Sequence, residues 1–455
     1  MATGALVCMI AGEQSKLGTP KIIGVPELFT NSFTPPLDFG VKSTAPVQRI
    51  GDLLNNMHIS VTMPNIAPHT WISNVGVRMI KQVELELSGQ TLFSMTGDNL
   101  AAFYELTLST AKYAAYQQLQ SLQDSNTIII PLPFFQCADF NDELPLVALR
   151  QHSIAVHIEL QPITKLINKL VCGSTAYPLG NGDAYHLNNA DNGSARELAF
   201  YQSFLEYNMR NRITSGKPKK YLITQFHEYV PTRITANTKK VNITLSNQKA
   251  VKYLYWFYRS TNSELLNKYD DYTVGAVGAV GDVGAVGAVG DVGAVGAVGA
   301  VGDVGAVGAV GAVGDVGAVA PSSTMMNVGN SPITSWKLHY NGHDCTTYTS
   351  PEKHQRLKQY YAGTNTCNSL IYSHSYETNS SAVYDTVFKP FINVNSNIVS
   401  NEQIGYCNYR MIDNVQLVLT LADNIKDGCI YVYSVTYAHL VLQNNTVECY
   451  NPEYE

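Results

Sequence analysis

The chain has 455 residues, enough for two or three domains, and a formal net charge of −6. Charged residues make up only 15% of it against 45% apolar, and Tyr alone occurs 28 times. Such a surface is polar but weakly charged, suits contact with copies of itself, and lacks the broad positive field needed to grip nucleic acid.

Along the chain, residues 1–24 read as an N-terminal arm. Its apolar run Ala5–Ala11 has no preceding positive charge and is too short to span a bilayer, which speaks against a cleaved leader or anchor. Period-two alternation then dominates, placing alternate side chains on opposite sheet faces. Ile59, Val61 and Met63 alternate with His58, Ser60 and Thr62, and Val83, Leu85 and Leu87 with Gln82, Glu84 and Glu86. Helical pattern is sparse: Leu100–Leu122 is expected to carry one or two helices after a start at Gly97-Asp98. Ile154, Val156, Ile158 and Leu160 form another alternating run, after which Ile163, Leu166, Ile167 and Leu170 have helical spacing. A boundary falls near Arg212–Tyr221, where ITSGKPKK interrupts the apolar pattern and leaves roughly equal halves. The second half resumes the alternation at Val241, Ile243 and Leu245 and at Val415, Leu417, Leu419 and Leu421. Turn signals stand at Ser88-Gly89, Asn181-Gly182, Asn341-Gly342 and Asp427-Gly428. Half-buried antiparallel strands with few helices argue for an all-β protein built of sandwiches.

Residues 275–319 repeat glycine every third position for fifteen triplets, as GAV or GDV, with Asp282, Asp291, Asp303 and Asp315. Period three fits neither strand nor helix, and the absence of Pro argues against collagen. A straight helix of this length would reach about 140 Å at ~3.1 Å per residue, whereas Ala320–Pro332 returns only roughly 45 Å. The reading adopted is a flexible, elastin-like surface loop. A folded-back ordered element and a collagen-like stalk are the alternatives.

No P-loop, GxSxG, HExxH or EF-hand pattern occurs. None of the eight cysteines (Cys8, Cys137, Cys172, Cys345, Cys367, Cys407, Cys429 and Cys449) forms a CxxC, so free buried thiols are expected. Sequons at Asn192, Asn242, Asn379 and Asn444 are explained by the abundance of Asn, Ser and Thr. His152 and His157 fall on opposite faces of a strand, and Asn341-Gly342 breaks any helix aligning His339 with His343, so all four read as ordinary polar residues. Lys217-Pro218-Lys219-Lys220 reads as a solvated linker rather than a nucleic-acid site. The cluster Tyr253, Tyr255, Trp256, Phe257 and Tyr258 could stack bases or sugars, but sheet core plus subunit interface is the preferred reading. No catalytic, cofactor-binding or metal residues are assigned, no cofactor is expected, and the chain is read as a non-enzyme.

Several segments resemble the major capsid proteins of nucleocytoplasmic large DNA viruses, the group of iridoviruses, chlorella viruses and marseilleviruses. Arg49–Leu54 (RIGDLL) followed by MHISVTMP resembles that family's R-x-GDLL turn and strand. Trp71–Gln90 (WISNVGVRMIKQVELELSGQ) is similar to its W-x-N-x-x-G…IK-x-VEL-x-x-GGQ strand, with Ser88 where a Gly is usual, and Ile130–Leu149 (IPLPFFQCADFNDELPLVAL) to its IPLPFWF…LPLIAL segment. In the second half, Val251–Phe257 (VKYLYWF), Leu338–His343 (LHYNGH), Cys407–Leu417 (CNYRMIDNVQL) and Ile430–Tyr437 (IYVYSVTY) match in order. The departure is at Leu28–Pro36 (LFTNSFTPP), where many relatives carry a basic YRRHTNF-like stretch.

The resemblance implies two tandem eight-stranded jelly-roll sandwiches with a few short helices in loops. The first would span 25–212 and the second 221–455, joined by a linker at 213–220. It further implies homotrimers with a pseudo-hexagonal outline, tiling an icosahedral virion shell over an inner membrane and meeting neighbouring capsomers and minor capsid and penton proteins. Assembly is expected in the host cytoplasm, without direct nucleic-acid contact. A trimeric scaffold of viral membrane assembly, discarded on maturation, is the alternative. In this family the loop after the fourth strand of a jelly roll commonly reaches the outer surface, and 275–319 falls in such a loop.

Overall fold

The computed structural model describes residues 26–67, 69–122, 126–134, 143–168, 186–187, 196–205, 207–214, 219–247, 249–274, 331–348, 370–376, 391–393, 406–443 and 446–450. The N-terminal arm, the triplet repeat, the Asn181-Gly182 turn and the sequons other than Asn242 lie outside these residues.

The first half carries β1 (Glu27–Ser32), β2 (Lys42–Pro46), β3 (Leu53–Thr62), β4 (Ile80–Leu87), β5 (Gln90–Met95), β6 (Thr127–Leu132), β7 (Ile154–Leu160) and β8 (Arg196–Ser203). They form two sheets, ordered β1-β8-β3-β6 and β2-β7-β4-β5. The second half carries β9 (Lys219–Glu228), β10 (Lys240–Thr244), β11 (Ala250–Ser260), β12 (Ile333–Tyr340), β13 (His343–Tyr348), β14 (Tyr372–Ser375), β15 (Val415–Leu421) and β16 (Gly428–Gln443). Their sheets run β14-β11-β16-β9 and β10-β15-β12-β13. Adding eight to each strand number of the first half reproduces the order of the second, so one double-sheet jelly-roll topology occurs twice. Short strands at Leu144–Pro145, Thr232–Ile234, Phe391–Asn393, Cys407–Asn408 and Thr446–Tyr450 extend the sheets.

Smaller features repeat as well. β4 and β5 meet through Ser88-Gly89, and β12 and β13 through Asn341-Gly342. Both pairs hold positive φ, at 54° and 82° and at 50° and 85°. This is the primed two-residue hairpin whose twist matches the flanking strands, and glycine supplies its second position without strain. Register shifts recur at matching places: Leu54/Met57 and Val251/Tyr253, Ile80/Gln82 and Ile333/Ser335, Leu85/Glu86 and Leu338/His339.

The alternation read from sequence gives the inward faces. Met57, Ile59 and Val61 of β3, Val83, Leu85 and Leu87 of β4, and Ile154, Val156, Ile158 and Leu160 of β7 enter one core. Ile243, Leu417, Leu419 and Leu421 enter the second. β11 departs from the pattern, being buried along its whole length. Leu254, Trp256 and Tyr258 face the second core, while Tyr253, Tyr255 and Phe257 face a third cluster toward the first half. A strand covered on both sides is read as a continuous apolar run.

The connection from β3 to β4 contains α1 (Val75–Arg78), and that from β5 to β6 contains α2 (Gly97–Thr107) and α3 (Thr110–Leu119). Thr96 and Ser109 cap α2 and α3 with their side chains, which is why the Leu100–Leu122 pattern resolves into two helices. α4 (Tyr207–Thr214) follows β8, and α5 (Thr261–Leu265) follows β11.

The helical spacing from Ile163 to Leu170 does not produce an α-helix over its described part. Only a 3₁₀ turn forms at Ile163–Lys165. Ile167 bridges to Trp71 and the Asn168 N–H donates to the Thr70 carbonyl at 2.9 Å. Extended pairing with the neighbouring loop satisfies backbone groups a helix would otherwise have used.

Candidate functional site

The residues singled out for chemistry are dispersed. His157 joins Thr44 Oγ1 at 2.8 Å and Glu86 Oε2 at 2.9 Å, while His152 meets Ser88 Oγ at 2.5 Å. His339 lies 2.5 Å from Asp344, and exposed His343 opens the adjacent strand. Among the described residues no group of three or more His, Cys, Asp or Glu could hold a metal ion, and no helix is long and apolar enough to cross a membrane. Among the described residues, Cys407, Cys429 and Cys449 form no disulfide. Lys219 and Lys220 open β9, paired with Leu442 and Val441 of β16. The aromatic cluster on β11 is buried, none of its five rings exceeding 4% exposure, so it offers no stacking platform.

What the aromatic strand does instead is form the seam between the two halves. Ala102 and Leu106 on one side of α2 pack with Tyr253, Tyr255, Phe257, Tyr433 and Val435 of the second half. Leu100, Phe103 and Tyr104 on its other side enter the first core. Phe226 of β9 stands edge-on to Phe93 and Phe103, at 5.2 Å and 5.0 Å. Ala438, Leu440 and Leu442 of β16 also join the first core. α2 is thus apolar on two sides, each wedged into a different sandwich.

Polar groups fix the register of this seam. The Thr96 N–H and Oγ1 and the Asn99 Nδ2 all donate to Glu228 Oε1, at 3.0, 2.8 and 3.0 Å. A carboxylate from β9 therefore sits at the positive N-terminus of α2. Asn99 Oδ1 accepts from the Tyr255 hydroxyl. Next to it, Asp98 receives Arg259 through two nitrogens, at 2.9 and 3.2 Å, and also Arg78. Arg78 reaches Asp270 Oδ1 at 2.6 Å and the Tyr272 hydroxyl at 3.0 Å. The Arg259 guanidinium lies over Phe257, Tyr269 and Tyr431 at 5.2–5.3 Å.

Arg78 is 4% and Arg259 1% exposed. Burial alone would push the Asp98 carboxyl up. The charges of Arg259 and Arg78 and their hydrogen bonds outweigh that and hold it well below the usual carboxylate range. Motif reading missed these residues because their partners come from distant parts of the chain. A signal was nonetheless present: Arg78 interrupts the apolar run VGVRMI, and Arg259 ends the apolar strand VKYLYWFYR.

The flanks of the repeat are anchored at the seam and in the core of the second half. Asp270 and Tyr272, just before it, bind Arg78. Val274 and Ile333, on its two sides, bury into the same core cluster of the second half.

Comparison with known proteins agrees with this architecture. Residues 26–196 match the family described as "Major capsid protein N-terminus". The major capsid protein of Pyramimonas orientalis virus is 24% identical over 421 residues, covering 88% of this chain and 83% of that protein. That of Phaeocystis pouchetii virus is 24% identical over 275 residues, so the chain spans about half of that relative, 51% of its length. Among solved structures, the PBCV-1 capsid protein VP54 superposes with a TM-score of 0.67 at 17% identity, over 96% of this chain and 98% of that one. The Faustovirus major capsid protein gives 0.58 at 10% identity, over 93% and 91%. At these identities the structural likeness establishes the fold, a double jelly roll.

Proposed function

We propose that the chain is a double jelly-roll major capsid protein of the nucleocytoplasmic large DNA virus kind, three copies of which close into a pseudo-hexagonal capsomer that tiles an icosahedral shell. The observation that carries this reading is the strand order repeated within one chain. Three copies of two similar sandwiches present six near-equivalent corners, the outline a hexagonal lattice requires. Closed point-group symmetry is the ordinary way such copies assemble. The seam supports the reading: α2 wedges both sandwiches into a single block, and a tile that bent at its middle would not hold a lattice.

In this proposal neighbouring capsomers, minor capsid proteins and penton proteins are the partners around each tile, and a membrane lies beneath. The low charge suits contacts between like copies, which desolvate fewer ions. Assembly takes place in the host cytoplasm, the product is the virion shell, and the chain acts as a structural component rather than an enzyme. The triplet repeat is displayed outward between β11 and β12.

The test is to purify the chain and measure its mass in solution, then image it by negative-stain electron microscopy. The expected result is a particle three times the 49.8 kDa chain, threefold with a six-cornered outline. A monomer or dimer without that outline overturns it. Abundance in purified virions distinguishes a shell protein from a scaffold discarded on maturation.

A further inference from the structure

Met63–Ile66 and His69–Val75 on one side, and Gln120–Leu122 with Asn126 on the other, border a groove of about 850 Å³, within the size range of small-ligand sites. Among its described lining residues there is no Asp, Glu, Lys or Arg. Among these residues a strongly ionic ligand would find only the imidazole of His69. A purely apolar ligand would bury the side chains of Thr70 and Asn126 without partners, at a cost. The side chains of Thr70 and Asn126 are exposed and make no hydrogen bond among the described residues. Trp71, half-exposed, lines the same groove.

The wall carrying Trp71 is held from several directions. Its backbone bridges to Ile167, and its ring lies 5.9 Å from Phe39. The Ile72 N–H donates to the Leu166 carbonyl at 3.0 Å. From the second sandwich, Asn267 Nδ2 donates to the Thr164 and Ile167 carbonyls at 2.9 and 2.8 Å. Ser73 Oγ and Asn74 Nδ2 donate to Asp270 Oδ2 at 2.6 and 3.1 Å. On the facing wall Gln120, 6% exposed, donates to the Ile129 carbonyl at 2.8 Å. A groove fixed in this way spends little ordering entropy when a ligand enters.

We infer that this groove binds a neutral saccharide residue, its apolar ring face on Trp71 and its hydroxyls toward Thr70 and Asn126. An uncharged ring with one C–H face and a rim of hydroxyls matches an indole flanked by a hydroxyl and an amide. The inference does not depend on how copies of the chain assemble, since the groove is built within one chain.

Trp256 and Trp336 are 0% and 1% exposed, so quenching by a solute reports on Trp71. The assembled full-length protein is titrated with N-acetylglucosamine, galactose and mannose, followed by Trp fluorescence and saturation-transfer NMR. A saturable response to at least one sugar is expected. Thr70→Ala and Asn126→Ala should weaken it about tenfold at unchanged melting temperature, and Trp71→Ala by at least as much. Trp71→Phe, which keeps a ring against Phe39, controls for folding and should retain part of the binding. The inference is overturned if no sugar gives a saturable response, or if binding survives both Trp71→Ala and Asn126→Ala. Host-surface polysaccharide and glycans released from virions then compete against the best sugar. Competition by the first supports attachment, competition by the second supports a contact within the shell, and competition by neither overturns a role in the virion.

Discussion

Asp98 faces two buried guanidinium groups, and its substitution tests how the seam is held. Removing one member of a buried ionic cluster leaves uncompensated charge, and the loss exceeds what the pair contributes net. Asp98→Asn should therefore lower stability by about 3 kcal/mol in denaturant unfolding. Lys42→Ala, which breaks an exposed pair with Glu84 at 3.3 Å, should cost well under ~1 kcal/mol. Because the folded carboxyl of Asp98 titrates below its unfolded value, its contribution is present above the unfolded pKa and fades only as pH falls through the folded one. Glu143 has the opposite sign. It is 3% exposed, accepts from Asn55 Nδ2 at 2.6 Å, and burial pushes its carboxyl up to about 7 from 4.5. The folded state holds the extra proton, so stability should fall as pH rises from about 4.5 to about 7. In Glu143→Gln that slope should flatten, as read from melting temperatures across the interval. If it stays unchanged, Glu143 is not the titrating group.

At the scale of elements, what could be read from the sequence was whatever is local. Alternation located β3, β4, β7, β10 and β15, and Ser88-Gly89 and Asn341-Gly342 marked the hairpins. Gly97-Asp98 marked the start of α2, for a reason the sequence does not display. A Cβ at residue 97 would lie 2.3 Å from the Ile80 carbonyl oxygen and 2.4 Å from that of Val77. Gly97→Ala must therefore push α2 off the first sandwich and loosen both of its packed sides. The expected outcome is a loss of more than ~2 kcal/mol, with protease cleavage appearing near α2 in limited digestion. Two things were not legible. The Ile163–Leu170 spacing fits a helix, yet Trp71 competes for that backbone from nearly a hundred residues away. The charged seam unites Arg78, Asp98, Arg259 and Asp270, whose pairing is fixed only when both sandwiches have formed. Long-range partners leave no periodicity behind.

At the scale of the whole molecule, the same topology occurs twice, but the halves are not interchangeable. β16 is twice as long as its counterpart β8, with 16 residues against 8, and its far end enters the first core. This asymmetry implies that neither sandwich is complete alone. A fragment ending near residue 214 should expose Phe93 and Phe103, which pack on Phe226, and should bind a hydrophobic dye or aggregate. The intact chain should unfold in a single transition in calorimetry. Two well-separated transitions would show that the seam does not couple the halves.

Val274 and Ile333, on the two banks of the triplet tract, bury in one core cluster. Each doubling of a closed loop costs only ~0.6 kcal/mol, too little for selection on stability to count triplets. Slippage during genome copying can then lengthen or shorten the tract freely. Isolates of one viral lineage should differ in triplet number while the banks stay constant, making this stretch a natural marker of descent.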